Sequence, residues 1–277
     1  MNKRNKKVSV GIVGVGHLGK HHVKHLAAID NVECVGFYDI DGTRATVISD
    51  KYNVKSYDSL EALLIDCDAV TIVTPTDTHF TVASDCLTAG KHVFIEKPIT
   101  KSVADAEQLL TLANTNEVLI QVGHIERLNP ALVPLKNYSI LPKYIEIQRL
   151  APYDVRGTDV RVVLDKMIHD IDILLSLVNS EVESINANGI SILTDSVDIA
   201  NARIRFKNGT IANITSSRVA QDHVRKTKIF QQDLYITIDF LLGLTEVYRV
   251  IDPDEQDPDA IKAVSYTHLT LPTTPYV

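Results

Sequence analysis

Residues 8–19 read VSVGIVGVGHLG, and this stretch decides the fold. The apolar run Val8–Val13 predicts a buried strand, and the residues after the glycines have the pattern of a helix. The glycines Gly14, Gly16 and Gly19 lie between strand and helix at the spacing G-x-G-x-x-G. In that context the first glycine allows a tight turn, the second lets the backbone approach a pyrophosphate, and the third lets helix and strand pack closely. The sequence therefore predicts a dinucleotide-binding turn.

The same alternation of strand and helix continues to about residue 122. The predicted strands are Val8–Val13, Val32–Tyr38, Ala69–Val73, His92–Ile95 and Val118–Val122, and the predicted helices include His17–Ala28, Thr43–Tyr52 and Thr78–Ala89. Strands and helices that alternate at this spacing imply right-handed crossovers and a doubly wound parallel sheet. We interpret residues 1–122 as an α/β domain of the Rossmann type.

The cofactor is predicted from this turn and from one carboxylate. His17 and Leu18 lie in the turn, where the first N–H groups of a helix bind phosphate. Asp39 ends the second strand, where a carboxylate accepts the hydroxyls of the adenosine ribose and repels a 2′-phosphate. NAD is therefore favoured, while the nearby Arg44 keeps NADP as the alternative. The competing interpretation is a glycine turn that binds no ligand.

A row of histidines in the first helix raises the question of a metal. His17, His21 and His25 are spaced four residues apart, as ligands on one helix face would be. Since no carboxylate or cysteine joins them, we predict no metal site and expect histidines that face solvent.

After Gly123 the pattern of predicted elements changes from alternating strands and helices to mostly consecutive strands. Tyr144–Arg149 is a predicted strand and Asp165–Val178 a predicted helix, and later strands such as Ala200–Phe206 and Leu234–Phe240 alternate with a period of two. Short turns between consecutive strands require antiparallel pairing. We predict that residues 123–263 form a second α/β domain, incomplete at its end, with an open and mostly antiparallel sheet. Residues 264–277 are uncharged and rich in Thr and Pro, and we interpret them as a non-native tail, with a natural Pro-rich terminus as the alternative.

Composition narrows the class of protein. The formal charge of −7 disfavours nucleic acid as a partner, because an acidic protein releases few counterions from a phosphate backbone. The three cysteines are far apart, which fits a reducing compartment. No segment has the length needed to cross a membrane. We expect a cytoplasmic protein with a small-molecule substrate.

Two groups of residues are candidates for the catalytic site. Lys97 follows the fourth strand at the carboxyl edge of the sheet, where open α/β sheets bind ligands. On an α-helix Asp165, His169 and Asp172 would form one row, beside a buried stripe that includes Ile171 and Leu175. A histidine is suited to accept a hydroxyl proton near neutral pH, and a carboxylate one turn away can orient it. The competing interpretation of the row is a surface ion pair.

Together these features resemble the Gfo/Idh/MocA oxidoreductase family. The residues that carry the resemblance are the glycine turn with His22 in its helix, Val73-Thr74-Pro75-Thr76 with His79, Glu96-Lys97-Pro98, and the pair Asp165 and His169. The resemblance implies an NAD(P)-dependent dehydrogenase acting on CH–OH groups, whose open sheet face forms a homodimer or homotetramer. It also implies that the cofactor is bound by Thr74, Pro75, Thr76, His79, Glu96 and Lys97, and that Lys97, Asp165 and His169 surround the substrate carbinol. The resemblance leaves open whether His169 or Lys97 accepts the proton.

A finer resemblance concerns the substrate. Residues 121–130 read QVGHIERLNP and are similar to the G-H-x-E-R-F-N-P segment of the UDP-N-acetylglucosamine 3-dehydrogenase-like members, with Leu128 in place of Phe. This implies a UDP-linked N-acetylamino sugar oxidised at its 3-hydroxyl, with Arg127, Asn129 and Arg156 as substrate-binding residues. A guanidinium binds phosphate with two parallel hydrogen bonds. The structural alternative is that Arg127 only caps the junction between strand and helix.

Two other functions remain open at this point. The first keeps the chemistry but takes a free sugar or inositol as substrate. The second is a non-catalytic, dinucleotide-sensing regulatory protein on the same fold, which the presence of Lys97 and His169 disfavours because a sensor needs no proton acceptor.

Overall fold

The computed structural model describes residues 7–154, 160–232, 234–250 and 264–270. The chain divides into two compact units, Met1–Gly123 and His124–Val277.

The first unit is a parallel sheet with helices on both faces. Its strands are β1 (Val8–Val13), β2 (Val32–Tyr38), β3 (Ala69–Ile72), β4 (His92–Ile95) and β5 (Ile120–Val122), and its helices are α1 (Gly19–Leu26), α2 (Gly42–Tyr52), α3 (Leu60–Asp66), α4 (His79–Thr88) and α5 (Val103–Thr115). The strand order is β2-β1-β3-β4-β5, and every pair in it is parallel. The predicted doubly wound sheet is confirmed.

Two separate cores cover the two faces of this sheet. One packs the side chains of α1 and α2 around Ile12, Val23 and Phe37. The other contains Leu63, Leu87 and Leu109, which come from α3, α4 and α5. Because each strand is buried on both faces, the strands have continuous apolar runs in the sequence.

The second unit is built on one large sheet. Its strands are β6 (Tyr144–Leu150), β7 (Val182–Ile190), β8 (Ile199–Phe206), β9 (Ile211–Ser217), β10 (Val224–Phe230), β11 (Leu234–Asp239), β12 (Leu244–Val250) and β13 (Val264–Thr270). Their order is β13-β12-β11-β10-β6-β9-β8-β7, and of these pairs β6 with β9 is parallel and the others are antiparallel. The predicted open, mostly antiparallel sheet is confirmed.

One face of this sheet carries the core of the second unit. Ile145 and Ile147 of β6 pack in the same buried cluster as Ile173 and Leu174, which belong to α6 (Ile168–Leu177). The strand β13 falls in the segment that we interpret as a non-native tail, where it pairs along the full length of β12. The origin of residues 264–277 stays a prediction.

The helix predicted over Asp165–Val178 begins differently from the prediction. Val163–Met167 form a π-helical turn that leads into α6 at Ile168, where a regular α-helix over Asp165–Val178 was expected. The backbone N–H of Ile168 bonds to the carbonyl of Val163, five residues back. Insertions of this kind are frequent at functional sites, and their cost is not visible in hydrophobic periodicity.

Candidate active site

The turn after β1 has the backbone that its glycines predict. Gly14 has φ = +87°, and a Cβ there would lie 2.9 Å from the carbonyl oxygen of Val73. A Cβ on Gly19 would lie 2.0 Å from the carbonyl oxygen of Gly14. Both positions therefore require glycine, one for its conformation and both for close packing.

Gly16 differs from the other two glycines, because a Cβ there would meet no protein atom within 4 Å. Its Cα instead borders a cavity. The next helix, α1, has Leu18 at its N-cap position, and a leucine side chain cannot accept the N–H groups of the first turn. In the first turn of α1 the N–H groups of Lys20 and His21 already bond to the carbonyls of Gly16 and Leu18. An anion at this site would therefore be bound by N–H groups of the glycine turn that precedes α1.

Asp39 is held beside the turn at the end of β2. Its side chain is 4% exposed. One oxygen, Oδ2, accepts the backbone N–H of Val15 at 2.8 Å, and Oδ1 accepts that of Asp41 at 2.9 Å. Arg44 donates to Oδ1 at 3.1 Å and also pairs with Asp41 at 3.0 Å. Arg44, the residue that kept NADP as an alternative, is thus already held by two carboxylates.

A cavity of about 800 Å³ opens along this edge of the sheet, a volume typical of small-molecule sites. Among the predicted cofactor residues, those that line it are Gly14, Gly16, His17, Leu18, Asp39, Thr74 and Pro75. Sequence reasoning missed further lining residues, namely Lys20, Tyr38, Ile40, Ile48, Thr78 and Val82. Apart from Ile48, which lies in the middle of α2, their only signal was a position near the carboxyl end of a strand or the start of a helix. The glycine cradle and the buried carboxylate fit a dinucleotide.

The turn after β3 is fixed by its threonines. Thr78 donates its hydroxyl hydrogen at the end of the 3₁₀ turn Thr76–Thr78, where its oxygen is 2.8 Å from both the Thr74 hydroxyl and the Pro75 carbonyl. Thr76 belongs to that turn but is not among the residues that line the cavity.

His79 and Glu96 are placed behind the cavity wall. The His79 side chain is buried, and its ring nitrogens lie 2.9 Å from the carbonyl oxygens of Thr74 and Pro98. Glu96 contacts Nε2 of His22 through Oε1 at 3.1 Å. Lys97 follows directly at the end of β4 and is partly buried. None of His79, Glu96 and Lys97 is among the residues that line the cavity, and their contact with the nicotinamide stays a prediction.

The histidine row of α1 faces outward. His17, His21 and His25 are exposed. Across the described ranges, no group of three His, Cys, Asp or Glu side chains is arranged to hold a metal ion.

In the second unit, Asp165 and His169 are both partly buried. Asp165 lies in the π-helical turn, where Lys166 pairs with it at 3.0 Å. Asp172, the third member of the predicted row, is paired with Arg127. Nε and Nη2 of Arg127 each lie 2.6 Å from one oxygen of the Asp172 carboxylate.

The buried face of α6 also differs from the prediction. Leu175 is 50% exposed, whereas Asp170 is 2% exposed and lies on the core side. Arg149 of β6 makes this possible, because its guanidinium meets the Asp170 carboxylate in a fork at 2.8 and 2.9 Å. Burial raises the pKa of Asp170, and the Arg149 charge opposes that rise. Helical periodicity cannot reveal a charge that is buried through a partner from a strand.

Of the predicted substrate-binding residues, two can be placed. Arg127 is 52% exposed although it is forked to Asp172. Asn129 uses its amide on the backbone, where Oδ1 accepts the N–H of Ala131 at 3.0 Å and Nδ2 donates to the carbonyl of Phe240 at 3.2 Å. Arg156 lies outside the described residues.

With this geometry established, comparison with known proteins decides the family. Residues 8–124 match a family model described as "Oxidoreductase family, NAD-binding Rossmann fold", and residues 150–236 match the GFO/IDH/MocA C-terminal domain. The chain is 39% identical over 240 residues to UDP-N-acetylglucosamine 3-dehydrogenase of Acidithiobacillus ferrooxidans, covering 86% of this chain and 76% of the relative. The chain belongs to the Gfo/Idh/MocA oxidoreductase family.

Solved structures of Gfo/Idh/MocA proteins agree with this membership. A structure of the A. ferrooxidans enzyme superposes with a TM-score of 0.87 at 35% identity, covering 97% of this chain and 84% of that one. Myo-inositol 2-dehydrogenase of Thermotoga maritima is 28% identical over 236 residues, covering 76% of this chain and 69% of the relative. The predictions of an NAD-binding dehydrogenase are confirmed. No helix among the described residues combines the length and apolar character that a membrane span needs.

Proposed function

We propose that this chain oxidises the 3-hydroxyl of a UDP-linked N-acetylamino sugar with NAD. The observation that carries the proposal is the 39% identity to a UDP-N-acetylglucosamine 3-dehydrogenase over 76% of that enzyme. The inositol dehydrogenase matches over a similar length at 28% identity. It supports the same dehydrogenase chemistry, but its lower identity gives weaker support for inositol as the substrate.

The first unit would bind the cofactor. The N–H groups of the glycine turn before α1 hold the pyrophosphate, with Gly16 leaving space for it, and Asp39 accepts the ribose hydroxyls. When bound, NAD supplies the acceptor for the hydride of the carbinol. Lys97 holds the nicotinamide ribose and polarises the sugar oxygen through its ammonium group. Thr74 and Pro75 line the cavity wall beside β3.

The second unit would supply the base. His169 takes the hydroxyl proton, because a secondary alcohol must lose that proton as it becomes a ketone. Asp165 orients the ring and stabilises the imidazolium that forms. Arg127 and Arg156 bind the diphosphate. For Asn129 we propose an indirect role, because its amide already supports the segment that follows Arg127.

The test is the formation of reduced nicotinamide from NAD and UDP-N-acetylglucosamine, followed by absorbance. Free N-acetylglucosamine and myo-inositol serve as competing substrates. We expect turnover with the nucleotide sugar, and a faster reaction with either free polyol would overturn the substrate. No turnover of any of the three, with NAD still bound, would favour the sensing protein.

Arg127→Ala sharpens the test. It should raise KM for the nucleotide sugar about tenfold or more, because a guanidinium–phosphate contact contributes roughly 1.5–3 kcal/mol. Arg205→Ala is the matched control, since Arg205 forms an exposed pair with Glu183 at 4.0 Å in the same unit. An unchanged KM in Arg127→Ala would remove that residue from the site.

We also propose that two copies meet through the open sheet face. Tyr144, Phe230, Tyr235 and Tyr248 are in register on four adjacent strands, with ring centroids 4.8 to 5.7 Å apart. They alternate with the core residues of those strands and therefore lie on the face away from α6. Light scattering should show a dimer or larger that Phe230→Lys dissociates, and a wild-type monomer at micromolar concentration would overturn this proposal.

For the cell we propose the cytoplasm, where NAD is the working cofactor and where the three free cysteines of the chain stay reduced.

A further inference from the structure

Lys97 lies between two residues that histidines hold from opposite faces of the sheet. His22 of α1 contacts Glu96, and His79 at the start of α4 contacts Pro98. The connection from β1 to β2 runs toward one edge of the sheet and the connection from β3 to β4 runs toward the other. Right-handed crossovers in opposite directions place α1 and α4 on opposite faces.

The contact of His22 fixes the Glu96 side chain. The His22 Nε2 lies 3.1 Å from Glu96 Oε1, and its Nδ1 lies 3.0 Å from the hydroxyl of Thr71 on β3. A carboxylate only accepts, so Nε2 donates to it, while Nδ1 accepts from the Thr71 hydroxyl in the neutral ring and donates to it when the ring carries both protons. The other carboxylate oxygen packs against Gly123, where a Cβ would lie 3.0 Å away. Glu96 is thereby restrained from both sides.

The contact of His79 fixes backbone instead. Its ring is 1% exposed, with one nitrogen on the carbonyl of Thr74 and the other on that of Pro98, both at 2.9 Å. Because a carbonyl oxygen only accepts, the ring holds one turn through a single N–H and both turns when it carries two. When its ring carries two protons, His79 ties the turn that lines the dinucleotide cavity to the turn that carries Lys97.

We infer that His22 and His79 are positioning residues that set the Lys97 ammonium group against the dinucleotide. The inference rests on the proposed role of Lys97. A lysine side chain has four rotatable bonds and is flexible by itself. Its ammonium group can keep one position only if the backbone at positions 96–98 that carries it is also held. A misplacement of about 1 Å can lower a rate by roughly a hundredfold.

The first experiment compares His22→Leu and His79→Leu with His25→Leu, in which an exposed histidine of the same helix is replaced. We call His22→Leu and His79→Leu the brace variants. We expect kcat to fall about tenfold in both of them and to stay unchanged in the control His25→Leu. KM for NAD should rise only in His79→Leu, because only His79 also holds the Thr74 turn. His22→Gln, whose amide can still donate to Glu96, should recover part of the rate. Unchanged kcat in both brace variants would overturn the inference.

The second experiment separates an effect through Lys97 from a general loss of structure. Single-turnover rates are measured for each brace variant with and without Lys97→Ala. If the histidines act through Lys97, they cause no further loss in the Lys97→Ala enzyme, whereas losses that multiply indicate a structural role and overturn the inference. Thermal unfolding of each variant shows whether it folds, and His22→Leu is the milder change because His22 is partly exposed.

A third experiment tests the positioning of Lys97 separately from its proposed catalytic role. It measures the rate of reductive methylation of the Lys97 amine by mass spectrometry. Full turnover by Lys97→Ala would show that Lys97 is not catalytic and would defeat the proposed role. The methylation rate still reports the placement of the amine. We expect it to change severalfold in both brace variants and not in His25→Leu, and equal rates in all of them would overturn the positioning role.

Discussion

The two units of this protein build their sites in different ways. In the first unit the backbone makes the site, through a glycine at φ = +87° and another whose Cβ would lie 2.0 Å from a carbonyl oxygen. In the second unit side-chain pairs hold α6, which carries the candidate base His169, as between Arg149 and Asp170 or Arg127 and Asp172. A site that is built from backbone can be predicted from a short sequence motif, whereas an arrangement of side-chain pairs depends on residues far apart in the chain.

The largest effect that tests this contrast concerns the buried pair of the second unit. Arg149→Ala leaves the Asp170 carboxylate buried without its partner, and we expect it to lower the free energy of unfolding by about 3–5 kcal/mol. Urea unfolding monitored by circular dichroism measures this. The exposed Arg205→Ala should change it by less than about 1 kcal/mol. Equal effects in the two variants would mean that burial of the pair is unimportant.

A comparable test of the backbone-built site is Gly19→Ala. The new methyl group would collide with the carbonyl of Gly14, so the turn must open, and we expect NAD affinity to fall by roughly a hundredfold, or about 2.7 kcal/mol. Calorimetric titration measures the affinity. Gly42→Ala is the control, because a Cβ there meets no atom within 4 Å. Retention of full affinity by Gly19→Ala would contradict the backbone account of this site.

A smaller effect is expected where the first unit does use a side chain. Asp39→Ala removes the carboxylate that holds Val15 and that would accept the ribose hydroxyls. NAD affinity should fall about tenfold, and NADP affinity should fall less, because the group that repels a 2′-phosphate is gone. Titrations with both cofactors give the ratio, and an unchanged preference for NAD would show that another group discriminates.

The last test is a pH dependence in the second unit. Burial alone would raise the pKa of Asp198, but hydrogen bonds from the Ile192 N–H, the Thr194 hydroxyl and the Arg218 guanidinium lower it below its usual range. A carboxylate with a lowered folded pKa stabilises the protein fully above its unfolded pKa, about 3.9, and loses that contribution as the pH falls toward the folded value.

Asp198→Asn should therefore be less stable than the wild type at neutral pH, and the gap should narrow below about pH 4. Urea midpoints at several pH values test this. A gap that stays constant, or widens in acid, would show that the contribution of Asp198 does not come from its charge.

Much of the fold could be predicted, because its signals are local. The strands β1, β2 and β4 coincide with predicted apolar runs. The π-helical turn before α6 could not be predicted, since inserting one residue into a helical turn leaves no mark in composition. Leu175 was assigned to the buried face although it is exposed, and the burial of Asp170 was not predicted. Helical periodicity places charged residues on the exposed face, whereas Arg149 pairs with Asp170 in the core.

The candidate site also contains residues that local sequence predicts and residues that only the tertiary structure brings together. Gly14, Gly16 and Asp39 were predicted from spacing alone, and they meet at one cavity. Lys20 and Tyr38 line the same cavity without any motif, because their position depends on where strand ends converge. The pairing of Arg127 with Asp172 joins residues 45 positions apart, and no spacing rule connects them.

The sequence by itself determined the doubly wound sheet, the dinucleotide turn and the preference of its carboxylate for NAD, because each follows from conformations and periodicities within a few residues. Only the tertiary structure decided that His79 joins two turns, that His22 restrains Glu96, and that Asp170 is buried. The physical reason is that a glycine carries its constraint in its own backbone, whereas a charge or an imidazole has its role set by whichever partner the fold brings within hydrogen-bonding distance.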